Sequence, residues 1–205
     1  MAKILSVVGK QATARLLEPI GQALLRAGIS PNAVTMLGTA GVIAGAFGFA
    51  ARGKFILAVV VVTVCGLTDV MDGAMARSRG KASRYGALLD STMDRVADGA
   101  IFSSLILWYH TQADTWSMLA GLICLVTGQI VSYVKARAEG LGFECHVGLV
   151  ERAERLITVG VGALLTAFGL AWGLPAALWL VAAGSVVTIA QRMVYVSRQE
   201  KRAST

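Results

Sequence analysis

Six mostly apolar stretches dominate this chain, at 33–51, 55–78, 86–110, 115–138, 154–173 and 175–197. At 1.5 Å per residue, about 20 such residues in a helix cross the ~30 Å hydrocarbon core of a bilayer. The apolar residues run on without the alternation that a membrane β-strand needs. In lipid each spanning segment must satisfy its own backbone hydrogen bonds. The expected fold is therefore all-α: an integral membrane protein with six transmembrane helices, forming a bundle over 31–198 within a single domain, 1–205. Only 15% of residues are charged, against 56% hydrophobic, where an average soluble domain has about 25% charged. Cys65, Cys124 and Cys145 are too few and too scattered for a disulfide framework or a zinc site. Residues 1–10 lack the apolar run and small-residue cleavage site of a signal peptide.

Residues 11–27 precede the first span and read as an amphipathic interfacial helix. Leu16, Leu17, Ile20, Leu24 and Leu25 share one face, with Arg15, Glu18, Gln22 and Arg26 elsewhere. The net charge of +7 is not a nucleic-acid footprint, because the basic residues follow the spans. Threading six spans from an inner N-terminus places four Lys or Arg in each of four inner segments, sixteen of the 19. Arg52 and Lys54 face outward, and Arg95 lies inside the third span. By the positive-inside rule both termini are cytoplasmic, in a multi-pass protein of the plasma membrane. Trp108, Tyr109 and Trp116 stand where an outer aromatic belt belongs, and Trp172 and Trp179 flank the other outer turn. Gly38, Gly41, Gly45 and Gly48 line span one, which favours close packing within the molecule.

The anomaly is acidic. A charge at membrane depth costs ~2.5–3.5 kcal/mol even on lenient scales, yet spans two and three contain Asp69, Asp72, Asp90, Asp94 and Asp98. Asp69 and Asp72 share one helix face by their i, i+3 spacing; Asp90 and Asp94 share another by i, i+4. The two spans meet at an inner loop near Lys81, so both pairs lie at similar depth near the inner surface. Four convergent carboxylates without His or Cys suit Mg²⁺ or Mn²⁺, and four charges suit two ions. Asp98, one turn further on, reads as a structural partner of Arg95 or a support to the site. Gly73, Ala76, Ser83 and Gly86 keep the space beside the acids open, and Arg77 is placed to meet phosphate.

Written out, the stretch is Asp69-x-x-Asp72-Gly73-x-x-Ala76-Arg77, then eight residues, then Gly86-x-x-x-Asp90-x-x-x-Asp94. It resembles the signature of the CDP-alcohol phosphotransferase family at every specified position. Ser30-Pro31-Asn32-x-x-Thr35 is similar to the family's entry into span one. The resemblance implies transfer of a phosphatidyl-type group from a CDP-linked lipid to a hydroxyl, with CMP released. It implies Asp69, Asp72, Asp90 and Asp94 as metal ligands and Asp94 as general base. It also implies a CDP-diacylglycerol site made of Asn32, Thr35, Asp69, Gly73, Ala76, Arg77, Ser83 and Gly86, and a homodimer.

The acceptor is read from the remaining cations. Lys135, Arg155 and Arg192 sit deep within apolar segments, which favours an anionic acceptor such as a phosphorylated polyol. The runs Ser132–Glu139 and Gly148–Arg155 resemble the actinobacterial branch of the family, which makes phosphatidylinositol phosphate. That likeness implies D-myo-inositol 3-phosphate (1-phosphate in the older numbering) as acceptor, held by Ser132, Lys135, Arg137, Arg155 and Arg192. Glycerol 3-phosphate, the acceptor of a phosphatidylglycerophosphate synthase, is the rival. A cation transporter is the reading from another class, disfavoured because the acids gather at one end instead of crossing the bilayer.

Overall fold

The computed structural model describes residues 19–68, Met71, Met75 and 83–203, and all regular structure among them is helical. A helical segment over 19–26 ends at Gly28, whose φ is +82°. Six helices follow: α1 (Pro31–Gly48), α2 (Phe55–Gly66), α3 (Arg84–Thr111), α4 (Thr115–Gly140), α5 (Arg152–Ala167) and α6 (Gly173–Ala203). Three segments, Pro31–Arg52, Thr115–Gly140 and Gly173–Arg202, are long and apolar enough to cross a membrane. Leu37, Val64, Ile157 and Leu180 are between 60% and 70% exposed on the bundle surface. An apolar surface of this kind suits lipid, and the architecture is that of an integral membrane protein.

Local chemistry sets the helix ends. Ser30 accepts the Ala33 N–H (3.2 Å) and Pro31 occupies the first turn of α1. Ser83 accepts the Gly86 N–H (3.1 Å) at the start of α3. Asp114 caps α4, accepting the Ser117 hydroxyl (2.6 Å) and N–H (3.0 Å). Those two donors hold its carboxyl below the usual range. α5 stops at Ala167 instead of continuing to 173, because the chain turns at Gly169 with φ +99°. α6 begins at Gly173 and runs past 197 to Ala203. Residues 11–18 of the expected interfacial helix lie outside the described residues, as does most of the inner end of span two.

The helices pack in a closed circuit, α1 on α3, α3 on α4, α4 on α6, α6 on α5, α5 on α2, and α2 back on α1. The apolar core fills the end nearest the α3–α4 and α5–α6 turns, with Phe55, Phe102, Leu105, Cys124, Leu174 and Leu178 at its centre. Trp108 and Tyr109 belong to this core and not to an outer belt. Tyr109 is 6% exposed, and the Trp108 ring meets Phe55 edge-on at 5.7 Å. The reason is the α1–α2 turn, which folds over their face of α3. Gly53 at its apex has φ +69° and lies flat on the Trp108 ring, where a side chain would collide. Trp116 and Trp172 do face outward.

Of the span-one glycines, Gly38, Gly41 and Gly45 serve packing within the molecule, while Gly48 faces open space among the described residues. A Cβ on Gly45 would lie 2.8 Å from Val61 Cγ1, and one on Gly38 would lie 3.0 Å from the Cys65 carbonyl oxygen. Gly162 plays the same part between α5 and α6, where a Cβ would come within 2.9 Å of the Gly173 carbonyl oxygen. The obstacle there is backbone, which cannot swing aside. Gly162→Val is therefore expected to cost about 1–3 kcal/mol by overpacking. A lowered melting temperature in detergent is the measurement. An unchanged one would contradict the close approach.

Candidate active site

The end of the bundle opposite the core is polar. α3 is continuous through Asp90, Asp94 and Asp98, so the three acids stand one turn apart on one side of it. A cavity of about 690 Å³ opens beside them. Asp94 and Arg95 line it from α3, Ser132 and Lys135 from α4, Arg152 and Arg155 from α5, and Arg192 from α6. A smaller cleft lies on the other side of Asp94, lined by Thr35, Gly38, Thr68 and also by Arg152. Asp94 thus borders both spaces.

Buried cations in an apolar bundle must be compensated. Asp98, 2% exposed, accepts Arg155 Nη2 on Oδ2 (2.8 Å) and Arg152 Nε on Oδ1 (3.1 Å). Arg95, the partner expected from sequence, stands further off at 3.9 Å. Arg152 also reaches Asp94, Nη1 to Oδ1, at 2.6 Å. Arg192 is 2% exposed. It donates to the Val147 carbonyl (2.8 Å), to the Val131 carbonyl (2.5 Å) and to Glu151 (3.1 Å), tying the loop before α5 to α4 and α6. Arg95 donates to the Ser132 hydroxyl, and Gln129 donates to the Arg95 carbonyl (3.2 Å). Arg155 is fully buried, and its Nε and Nη1 have no hydrogen-bond partner among the described residues.

Of the five residues expected at the acceptor, Ser132, Lys135, Arg155 and Arg192 come together at the cavity. Arg137 is exposed and is not among its lining residues. On the donor side, Asn32 and Gly86 are neighbours: a Cβ on Gly86 would lie 3.5 Å from Asn32 Oδ1. Ser83 caps α3, and Thr35 donates to the Pro31 carbonyl (3.1 Å) while lining the small cleft. Asp69, Asp72, Gly73, Ala76 and Arg77 lie outside the described residues. Among the described residues no group of three or more metal-binding side chains is assembled, and Asp90 and Asp94 are the two of the expected four in view. Their donors are carboxylate oxygens, the chemistry a hard divalent cation takes.

From its position at the start of span five Arg152 is expected at the mouth of the cavity but not among the acceptor's ligands, and Arg95 is expected only as an in-span partner of Asp98. Both line the cavity. The signal available for Arg152 was its i, i+3 spacing from Arg155, which puts both on one face of α5.

A helical membrane bundle thus sets two acids one turn apart beside a cavity lined by five cations. The chain belongs to the CDP-alcohol phosphatidyltransferase family, whose model matches residues 28–191. It is 49% identical over 197 residues to a phosphatidylinositol phosphate synthase of Streptomyces avermitilis, covering 92% of this chain and 81% of that protein. It is 44% identical over 189 residues to one from Mycobacteroides abscessus, covering 91% and 86%. The crystal structure of the Mycobacterium tuberculosis phosphatidylinositol phosphate synthase with CDP-DAG bound superposes with a TM-score of 0.85 at 44% identity, covering 89% of this chain and 94% of that one. The same enzyme in complex with manganese and citrate gives 0.84, covering 88% of each chain.

Proposed function

We propose that this chain is a phosphatidylinositol phosphate synthase. It moves the phosphatidyl group of CDP-diacylglycerol onto a hydroxyl of D-myo-inositol 3-phosphate and releases CMP. The observation that carries the reading is the position of Asp94 between the small cleft beside Thr35 and the basic cavity. The names of the relatives and the CDP-DAG and manganese complexes of the M. tuberculosis enzyme support it.

In this reading Asn32, Thr35, Ser83 and Gly86, with Asp69, Gly73, Ala76 and Arg77, hold the cytidine diphosphate. Lys135, Arg155 and Arg192, with Ser132, hold the acceptor's phosphate. A phosphate against several guanidinium and ammonium groups makes charge-assisted hydrogen bonds, and their fixed geometry orients the ring. Asp94 takes the proton of the attacking hydroxyl. The new P–O bond forms at the phosphorus that carries the diacylglycerol, and the bond to CMP breaks. Asp69, Asp72, Asp90 and Asp94 would hold two ions, Mg²⁺ or Mn²⁺, which neutralise diphosphate charge when bound.

The same reading makes residues 1–205 one domain of six spans in the plasma membrane, with both termini and the cavity on the cytoplasmic side. The segregation of basic residues supports this, as do the exposed Trp116 and Trp172 at the opposite end. The protein works among membrane lipids as a homodimer. The apolar core beyond the cavity disfavours a cation path across the membrane.

The test is an acceptor screen with labelled CDP-diacylglycerol: inositol phosphate, glycerol 3-phosphate, inositol and serine. CMP release dependent on inositol phosphate is expected, stopped by a chelator and restored by Mn²⁺ or Mg²⁺. Preference for glycerol 3-phosphate would replace the acceptor, and activity with free inositol or serine alone would remove the role of the basic cavity.

A further inference from the structure

We infer that Asp98 is a positioning residue for the acceptor, acting through Arg155 and Arg152. The inference rests on the functional reading above. Asp98 does not line the cavity. It lies behind it, 2% exposed, and each of its oxygens accepts from a different arginine of α5.

The consequences differ for the two partners. Arg155 has its Nη2 fixed by Asp98, while Nε and Nη1 are buried without a hydrogen-bond partner among the described residues. A guanidinium is planar, so fixing one nitrogen on a buried carboxylate sets the plane of the other two. Asp98 thereby fixes the plane of two donors that it does not itself occupy, in a side chain that lines the cavity. Burial of Arg155 beside Gly128, whose nearest Arg155 atom would be 3.5 Å from an added Cβ, leaves the guanidinium little room to swing. Arg152 is held by its Nε on Asp98, and its Nη1 is thereby directed at Asp94. One carboxylate therefore sets two cations, one on the acceptor side and one against the proposed base.

The charge matters as much as the geometry. Arg95, Lys135, Arg152, Arg155 and Arg192 crowd the cavity. Asp98 is an anion at their rear that an incoming phosphate does not have to displace. Removing its charge takes from Arg155 its paired carboxylate, while Arg152 keeps Asp94 and Arg192 keeps Glu151.

The experiment uses the full-length protein in membranes or detergent. Asp98→Asn keeps the shape and removes the charge. Its acceptor KM is expected to rise about tenfold or more, the scale of a charge-assisted hydrogen bond, with the CDP-diacylglycerol KM near that of the parent. In the double variant with Arg155→Ala the loss in acceptor KM should fall well short of the sum of the two single losses, because Asp98 acts in large part through the Arg155 guanidinium. Asp98→Glu restores the charge and should recover part of the loss. An unchanged acceptor KM in Asp98→Asn, or additive losses in the double variant, would overturn the inference. Failure of both Asp98→Asn and Asp98→Glu to accumulate as donor-binding protein would also overturn it, in favour of a purely structural ion pair. Parent protein that turns over glycerol 3-phosphate but not inositol phosphate would sink the functional reading instead, and the same split would then be read with glycerol 3-phosphate.

Discussion

Asp94→Asn is expected to lower CMP release by about 10³-fold while CDP-diacylglycerol binding largely survives. Asparagine fills the same space and still accepts a hydrogen bond from Arg152, which stands 2.6 Å from the native carboxylate. What it cannot do is take a proton. The loss should fall on kcat, because Asp94 borders the acceptor cavity and the small cleft without being the main contact of either. Single-turnover CMP release together with a direct measurement of donor binding separates the two effects. Retention of a tenth of the native rate, or loss of donor binding with normal turnover, would show that Asp94 is not the base.

Arg155→Ala carries the second large effect, and it has two parts. The acceptor KM should rise about 10- to 100-fold, the value of one or more charge-assisted hydrogen bonds to phosphate. Stability should also fall, by roughly 3 kcal/mol, because Asp98 is left buried with one fewer counter-charge. Arg155→Lys separates these parts. It keeps a cation for Asp98 and loses the planar fork, so stability should largely return while the acceptor KM stays raised. A raised CDP-diacylglycerol KM with an unchanged acceptor KM would move Arg155 out of the acceptor site. Melting temperature in detergent and two-substrate kinetics are the readouts.

Much of the site was legible in the linear chain because short-range geometry decides it. Asp90 and Asp94 are one helical turn apart whatever else the protein does. The clustering of Lys and Arg between apolar stretches, and the aspartates placed in otherwise apolar segments, are likewise properties of order along the chain. Ser30-Pro31 marks the entry to span one and forms the cap and first turn of α1, whereas the capping role of Ser83 is seen only in the structure. The aromatic belt was legible only in part. Trp108 and Tyr109 lie near the right depth, but their direction depends on which neighbour covers that face of α3.

The sequence by itself determined a helical membrane chain, the grouping of its basic residues between apolar stretches, and an acid-bearing signature with its family. Each follows from hydropathy over about 20 residues or from spacing within a few turns. Tertiary structure alone decided which cations meet those acids. Arg152 and Arg155 lie more than fifty positions from Asp98, and no local period encodes that meeting. The closed circuit of helices brings α5 and α6 back around the cavity. Buried charge then demands counter-charge, so Asp98 takes two arginines, and Arg192 is secured by backbone carbonyls and Glu151.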